Sequence, residues 1–179
     1  ACTDQGLTVH QPSGSTRQRL HTLVPDGGAV TGPVDTTATV SGDAFRQCLE
    51  LLSADGDVDA IIALVLPTAA TGDLTASITQ ARVSVPIAAV MLGQPESVRL
   101  LDGPDGKRVP AYDRPEAAAG AMARAAAYGT WRTAPTGPVP AFPDVSAAQA
   151  RTLVRGFLSH APGGGWLPPG AWERKPRTS

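Results

Sequence analysis

The sequence predicts an α/β fold, a doubly wound and mainly parallel sheet of about four or five strands, and three observations carry that expectation. The first is an unbroken apolar run from Ala60 to Leu66, bounded by acidic residues before it and Pro67 after it. Its length and its Ile and Val content suit a central strand covered on both faces. The second is Ile87 to Leu92, IAAVML, entered from Pro86 and ended by Gly93. It reads as another buried strand. The third is the spacing: strand and helix signals alternate every ~25 to 30 residues, the rhythm of strand-helix-strand units.

Taken in order, Ala1 to Gly6 reads as the end of a helix with Gly6 as its cap, and Leu7 to Val9 as a short strand. Ser15 or Thr16 caps a brief helix carrying Leu20 and Leu23, stopped by Pro25 and the Gly27-Gly28 pair. After the Gly32-Pro33 turn, Ser41 or Asp43 caps a helix over Ala44 to Ser53 whose apolar stripe includes Phe45, Cys48, Leu49 and Leu52. The Ala60 to Leu66 strand then meets a turn of small residues, and a helix follows over Leu74 to Ala81. Leu100-Leu101 precedes a turn at Asp102 to Lys107, and Val109 to Tyr112 is a short extended piece. From Arg114 to Arg132 the sequence is strongly helical, with Pro115 in the first turn and Gly129 as the expected stop. Four prolines between Thr133 and Pro143 make a linker of restricted stiffness. Asp144 or Ser146 then caps an amphipathic helix with Leu153, Val154, Phe157 and Leu158, too isolated to bury its own stripe.

Composition narrows the chemistry. With 15 Lys and Arg against 16 Asp and Glu, the net charge is −1, which suggests neither a nucleic acid nor an anionic membrane as partner. Two cysteines, Cys2 and Cys48, are too few for a disulfide framework or zinc site, and Cys48 reads as a small core residue. No run is long enough to span a bilayer, so a cytoplasmic setting is the default expectation. The chain begins with Ala in mid-pattern and reads as a piece of something longer. No nucleophile and base stand at usable spacing, and no phosphate-binding P-loop, HExxH or CxxC occurs. Asp43, Asp73 and Glu116 read as helix N-terminal residues, His160 as a helix C-terminal cation, and His10 and His21 as surface residues. What remains is a scaffold with two candidate anion-receiving edges, Gly32 to Asp35 and Pro67 to Asp73. At the second, a strand end meets a helix start, where open α/β sheets present unpaired N–H groups to anions.

The succession GLTV, LVPDGGAVTGPVDTTA, DVDAIIALVLPTAATGD, PIAAVMLG and VPAYDRPEAAAGAMARAAAYGTWR resembles the ligase-CoA domain of NDP-forming acyl-CoA synthetases, of the succinyl-CoA synthetase superfamily. The resemblance covers about residues 1 to 132. The linker helix and GGGWL resemble the connection to an ATP-grasp domain in actinobacterial members, some of which also carry a GNAT acetyltransferase domain.

The resemblance implies a flavodoxin-like domain at residues 32–132, preceded at 1–31 by the tail of another flavodoxin-like domain. A Pro-rich linker at 133–143, a linker helix at 144–167 and a disordered tail at 168–179 would follow. It implies a share in joining a carboxylic acid to CoA as ATP is cleaved to ADP and phosphate, through a phosphohistidine on another domain. ATP, Mg and CoA would serve the full enzyme and none would be bound by this chain alone. Partners would be CoA-binding, phosphohistidine and ATP-grasp domains and a small carboxylic acid, and the isolated chain would be inactive. By matching positions, the acid or phosphate loop is Pro67, Thr68, Ala69 and Ala70, and Gly32 stands where the family has the Asn of NPVD. Two other roles fit the same residues: a regulatory acyl-CoA-sensing domain of a GNAT-type acetyltransferase, and a non-enzymatic flavodoxin-like interaction domain.

Overall fold

Four short strands form one sheet in the computed structural model, which describes residues 1–68, 73–138 and 146–170. They are β1 (Ile61–Val65), β2 (Ile87–Met91), β3 (Val98–Asp102) and β4 (Arg108–Tyr112), in the order β1-β2-β4-β3. β1 and β4 both run parallel to β2, with Ile61 opposite Ile87 and Ala89 opposite Ala111. β3 is antiparallel to β4, the two joined through the turn that follows Asp102. The mainly parallel α/β architecture is therefore as expected.

One expectation about it is corrected. The apolar run at Ala60 to Leu66 is not a central strand: β1 lies at the edge of the sheet, and its Leu64 is 50% exposed while Ile61, Ala63 and Val65 are buried. The strand buried throughout is β2. An apolar run reports that no position needs water, but it does not say how many neighbours a strand has.

The layers follow from which side chains each strand sends to which face. Ile61, Ala63, Val65, Ile87, Ala89, Met91, Leu101, Val109 and Ala111 share one core with Phe45 and Leu49 of α2 (Gly42–Ser53) and Ile78 of α3 (Thr75–Gln80). On the other face Ala88 and Val90 are buried, and α4 (Pro115–Thr133) packs on β2 and β4 with Ala118 and Ala119 fully buried. Alanines on both sides let helix and sheet approach closely. Coverage there is incomplete, since Val98 and Leu100 of β3 stay 54% and 47% exposed.

Caps settle most helix starts. Ser41 Oγ accepts from Ala44 N–H and begins α2, one of the two expected caps. The first helix, α1 (Gly14–His21), starts earlier than expected because Ser13, not Ser15 or Thr16, accepts from Thr16 N–H. α1 is built into the same unit, Ala1–Ala134, through a small cluster of Leu20, Val30 and Cys48. No strand forms at Leu7 to Val9, whereas Gly6 does end a short 3-10 turn, at φ +77°. α4 runs through Gly129, because one interior glycine costs only about 1 kcal/mol in an alanine-rich helix.

The second unit, Pro135–Ser179, holds α5 (Ala147–His160). Ser146 Oγ accepts from Gln149 N–H at its start, and none of its residues is buried. Asp144, the other expected cap, lies outside the described residues. No described helix is long and apolar enough to cross a membrane.

Candidate functional site

The carboxyl end of β1 leads through Leu66 to Pro67 and Thr68, which are exposed. Ala69 and Ala70, the other two residues of the expected loop, lie outside the described residues. The chain re-enters at Asp73, whose Oδ1 accepts from Thr75 N–H at 2.8 Å and so caps α3. Hydrogen bonds from the Thr75 hydroxyl and N–H hold the Asp73 carboxyl below its usual range, and the charge of Arg99 adds to this. The N-terminus of α2 meets this end of the sheet: a Cβ on Gly42 would lie 2.8 Å from Ser77 Oγ, so α2 and α3 start side by side.

Gly32 lies elsewhere. It sits in a turn closed by Ala29 and Asp35, which exchange backbone hydrogen bonds of 2.9 and 2.8 Å. Its φ is +70°, and a Cβ there would come within 2.5 Å of the His10 carbonyl oxygen. Gln11 Nε2 donates to the Gly32 carbonyl at 3.3 Å, and Pro12, the next residue, is buried. Ser13 N–H in turn donates to Asp55 Oδ2 at 2.8 Å, just past the C-terminal end of α2. Gly32 therefore lies on the side of the unit where His10 meets Asp55, while Pro67 and Thr68 follow the carboxyl end of β1.

Cys48, Asp43 and His160 each have local surroundings that the structure describes. Cys48 is 2% exposed, and burial pushes its thiol up to about 11. Asp43 pairs with Arg46 and accepts from Gln47 Nε2 within the first turns of α2. His160 Nδ1 is 2.9 Å from the Gly156 carbonyl in the last turn of α5.

Sequence reading missed the pairing of His10, which is not a bare surface residue: its Nε2 lies 3.6 Å from Asp55 Oδ2. The two are far apart in the chain, and no motif links them. It missed, too, the sheltered and unpartnered acceptors Gln94 Oε1 and Asp113 Oδ1 near the carboxyl ends of β2 and β4.

Among the described residues no three His, Cys, Asp or Glu side chains are grouped to hold a metal ion. An open groove at the amino ends of β2 and β4, lined by Val83, Pro86, Lys107, Arg108 and Met122, is largely apolar. Its lysine is already committed, donating from Nζ to the Ala81 carbonyl at 2.6 Å.

No protein-family model and no curated protein matches the sequence. Solved structures do match. A dinucleotide-forming acetyl-coenzyme A synthetase 1 from Ca. Korarchaeum cryptofilum, in its apo form, is 25% identical over 74% of this chain, with a TM-score of 0.53. The chain is similar to one segment of an acetyl-coenzyme A synthetase. The same synthetase in complex with phosphate and ADP gives 25% identity over 75% of the chain and a TM-score of 0.54. The protein PH0766 from Pyrococcus horikoshii OT3 shares the fold, at 24% identity over 68% of the chain and a TM-score of 0.55. This chain spans about a third of the synthetase chain, 32% of its length. The resemblance carried by the sequence motifs is thus matched by the backbone.

Proposed function

We propose that this chain is a non-catalytic share of an NDP-forming acyl-CoA synthetase. In that role the junction after β1 offers backbone donors to an anionic group, an acid or a phosphoryl group, whose chemistry is performed by residues of other domains. The single observation that supports it most is the likeness, over three quarters of this chain, to a synthetase whose solved complex holds phosphate and ADP. Pro67, Thr68, Ala69 and Ala70 are the residues assigned to receive the anion. Asp73 caps the start of α3 with its own carboxylate, accepting from Thr75 N–H.

Gly32 supports the anion only indirectly in this reading. It lacks the side-chain amide that its family counterpart carries. Partner domains supply ATP, Mg, CoA and the phosphohistidine.

The test is an activity assay on the purified full chain with ATP, Mg, acetate and CoA. The expected result is neither acetyl-CoA nor released phosphate above a no-protein control. Turnover by the chain alone overturns the supporting role.

A further inference from the structure

α4 packs on β1, β2 and β4, yet toward the amino end of the sheet it presents the small side chains of Ala121 and Ala125. A groove of about 440 Å³ stays open there between helix and strands. Val83, Pro86, Pro110 and Met122 give it an aliphatic lining. β4 runs along it from Arg108 to Tyr112, about 13 Å at the usual strand rise. Leu100 and Val98, opposite Pro110 and Tyr112 in the register, are exposed and continue the apolar surface beyond it.

The charged groups of the lining are both cations, Lys107 and Arg108, and no Asp or Glu is among them. Lys107 donates to the Ala81 carbonyl. Arg108 makes no ion pair among the described residues, although Asp102 stands opposite it in the β3–β4 register. A guanidinium with its fork unused is always charged and matches a carboxylate with two parallel hydrogen bonds. An aliphatic slot that ends on such a cation complements a molecule with one anionic head and one apolar chain. The volume lies in the range of small-molecule sites, which favours a small amphiphile over a protein segment.

We propose that this groove binds a long-chain carboxylate, with its head on the Arg108 guanidinium and its chain laid over Pro110 and Met122 toward Tyr112. The head fixes the orientation, and each methylene taken out of water adds affinity. The site lies at the opposite end of the strands from the junction after β1, and the inference is independent of the synthetase reading.

An NMR titration of the full chain with decanoate at neutral pH, kept below its micelle concentration, tests it. Saturable shifts are expected at the amides of Ala88, Val109 and Ala121. Acetate, the head without the chain, is expected to give none there. Decanol, the chain without the head, is expected to bind at least ~3-fold more weakly than decanoate. Arg108→Gln is expected to weaken decanoate by a similar factor and to leave decanol unchanged, a split that a merely structural role of the arginine would not produce. Decanoate shifts that fail to saturate overturn the site, as do equal affinities for decanoate and decanol, saturable acetate shifts at the same amides, or wild-type affinity for decanoate in Arg108→Gln. If that variant does not fold, the comparison of decanoate with decanol on the wild-type chain decides alone.

Discussion

The two ends of α2 are held in different ways. At its C-terminal end the bonds join residues far apart in the chain: Ser84 N–H donates to Ser53 Oγ at 2.7 Å, Arg82 N–H to Glu50 Oε1 at 3.0 Å, and Ser13 N–H to Asp55. Toward its N-terminal end Asp43 bonds residues one turn away, and the neighbouring Asp73 bonds Thr75. Long-range bonds break only when the unit opens, while local bonds cost little to rearrange. Among the described residues these long-range bonds gather at the C-terminal end of α2, the side on which the 7–13 segment packs against the Gly32 turn.

The largest effects sharpen this contrast by testing whether both ends belong to one cooperative unit. Ile78→Ala empties a fully buried position in α3, beside the start of α2, and Leu20→Ala does so in the small cluster between α1 and α2. Each is expected to cost about 2–5 kcal/mol, measured by urea unfolding. Both losses should appear in a single transition, and two separate transitions would break the comparison. Gly32→Ala comes next, at about 1–3 kcal/mol, because the new methyl meets the His10 carbonyl and the positive φ is strained. Ser53→Ala is expected to cost about 1–3 kcal/mol by leaving the Ser84 amide without its partner.

Much of the fold was legible because its signals are local. The apolar runs, the Ser41 cap, and Gly93 after β2 lie within a few residues of what they determine. The rest depends on non-local pairing. That β1 is an edge strand follows from the order of strands, which no stretch of sequence encodes, and that β3 and β4 pair follows from a turn whose flanks alternate weakly. The candidate site divides in the same way. The proposed loop at Pro67 and Thr68 is marked by the strand end it follows, but the packing of Gly32 under His10 and the meeting of His10 with Asp55 needed the fold of the 7–13 segment.

Smaller effects probe the same contrast. Glu50 is held below the usual carboxylate range, first by Arg82 N–H and then by Arg46. Its contribution is present at neutral pH and lost as pH falls through its lowered value. Glu50→Gln is therefore expected to be less stable than wild type near neutrality, with the gap in thermal midpoint closing in acid. Leu64→Ser, on the exposed face of the edge strand, is expected to change stability by no more than about 0.5 kcal/mol, so it serves as the control for the core variants.

The most direct measurement of the central claim is an NMR titration of the full chain with inorganic phosphate, following backbone amides. Saturable shifts are expected at Thr68 and the positions that follow it up to Thr75, with the Gly32 turn unaffected. Shifts that gather at Gly32 instead, or that never saturate anywhere, would contradict it.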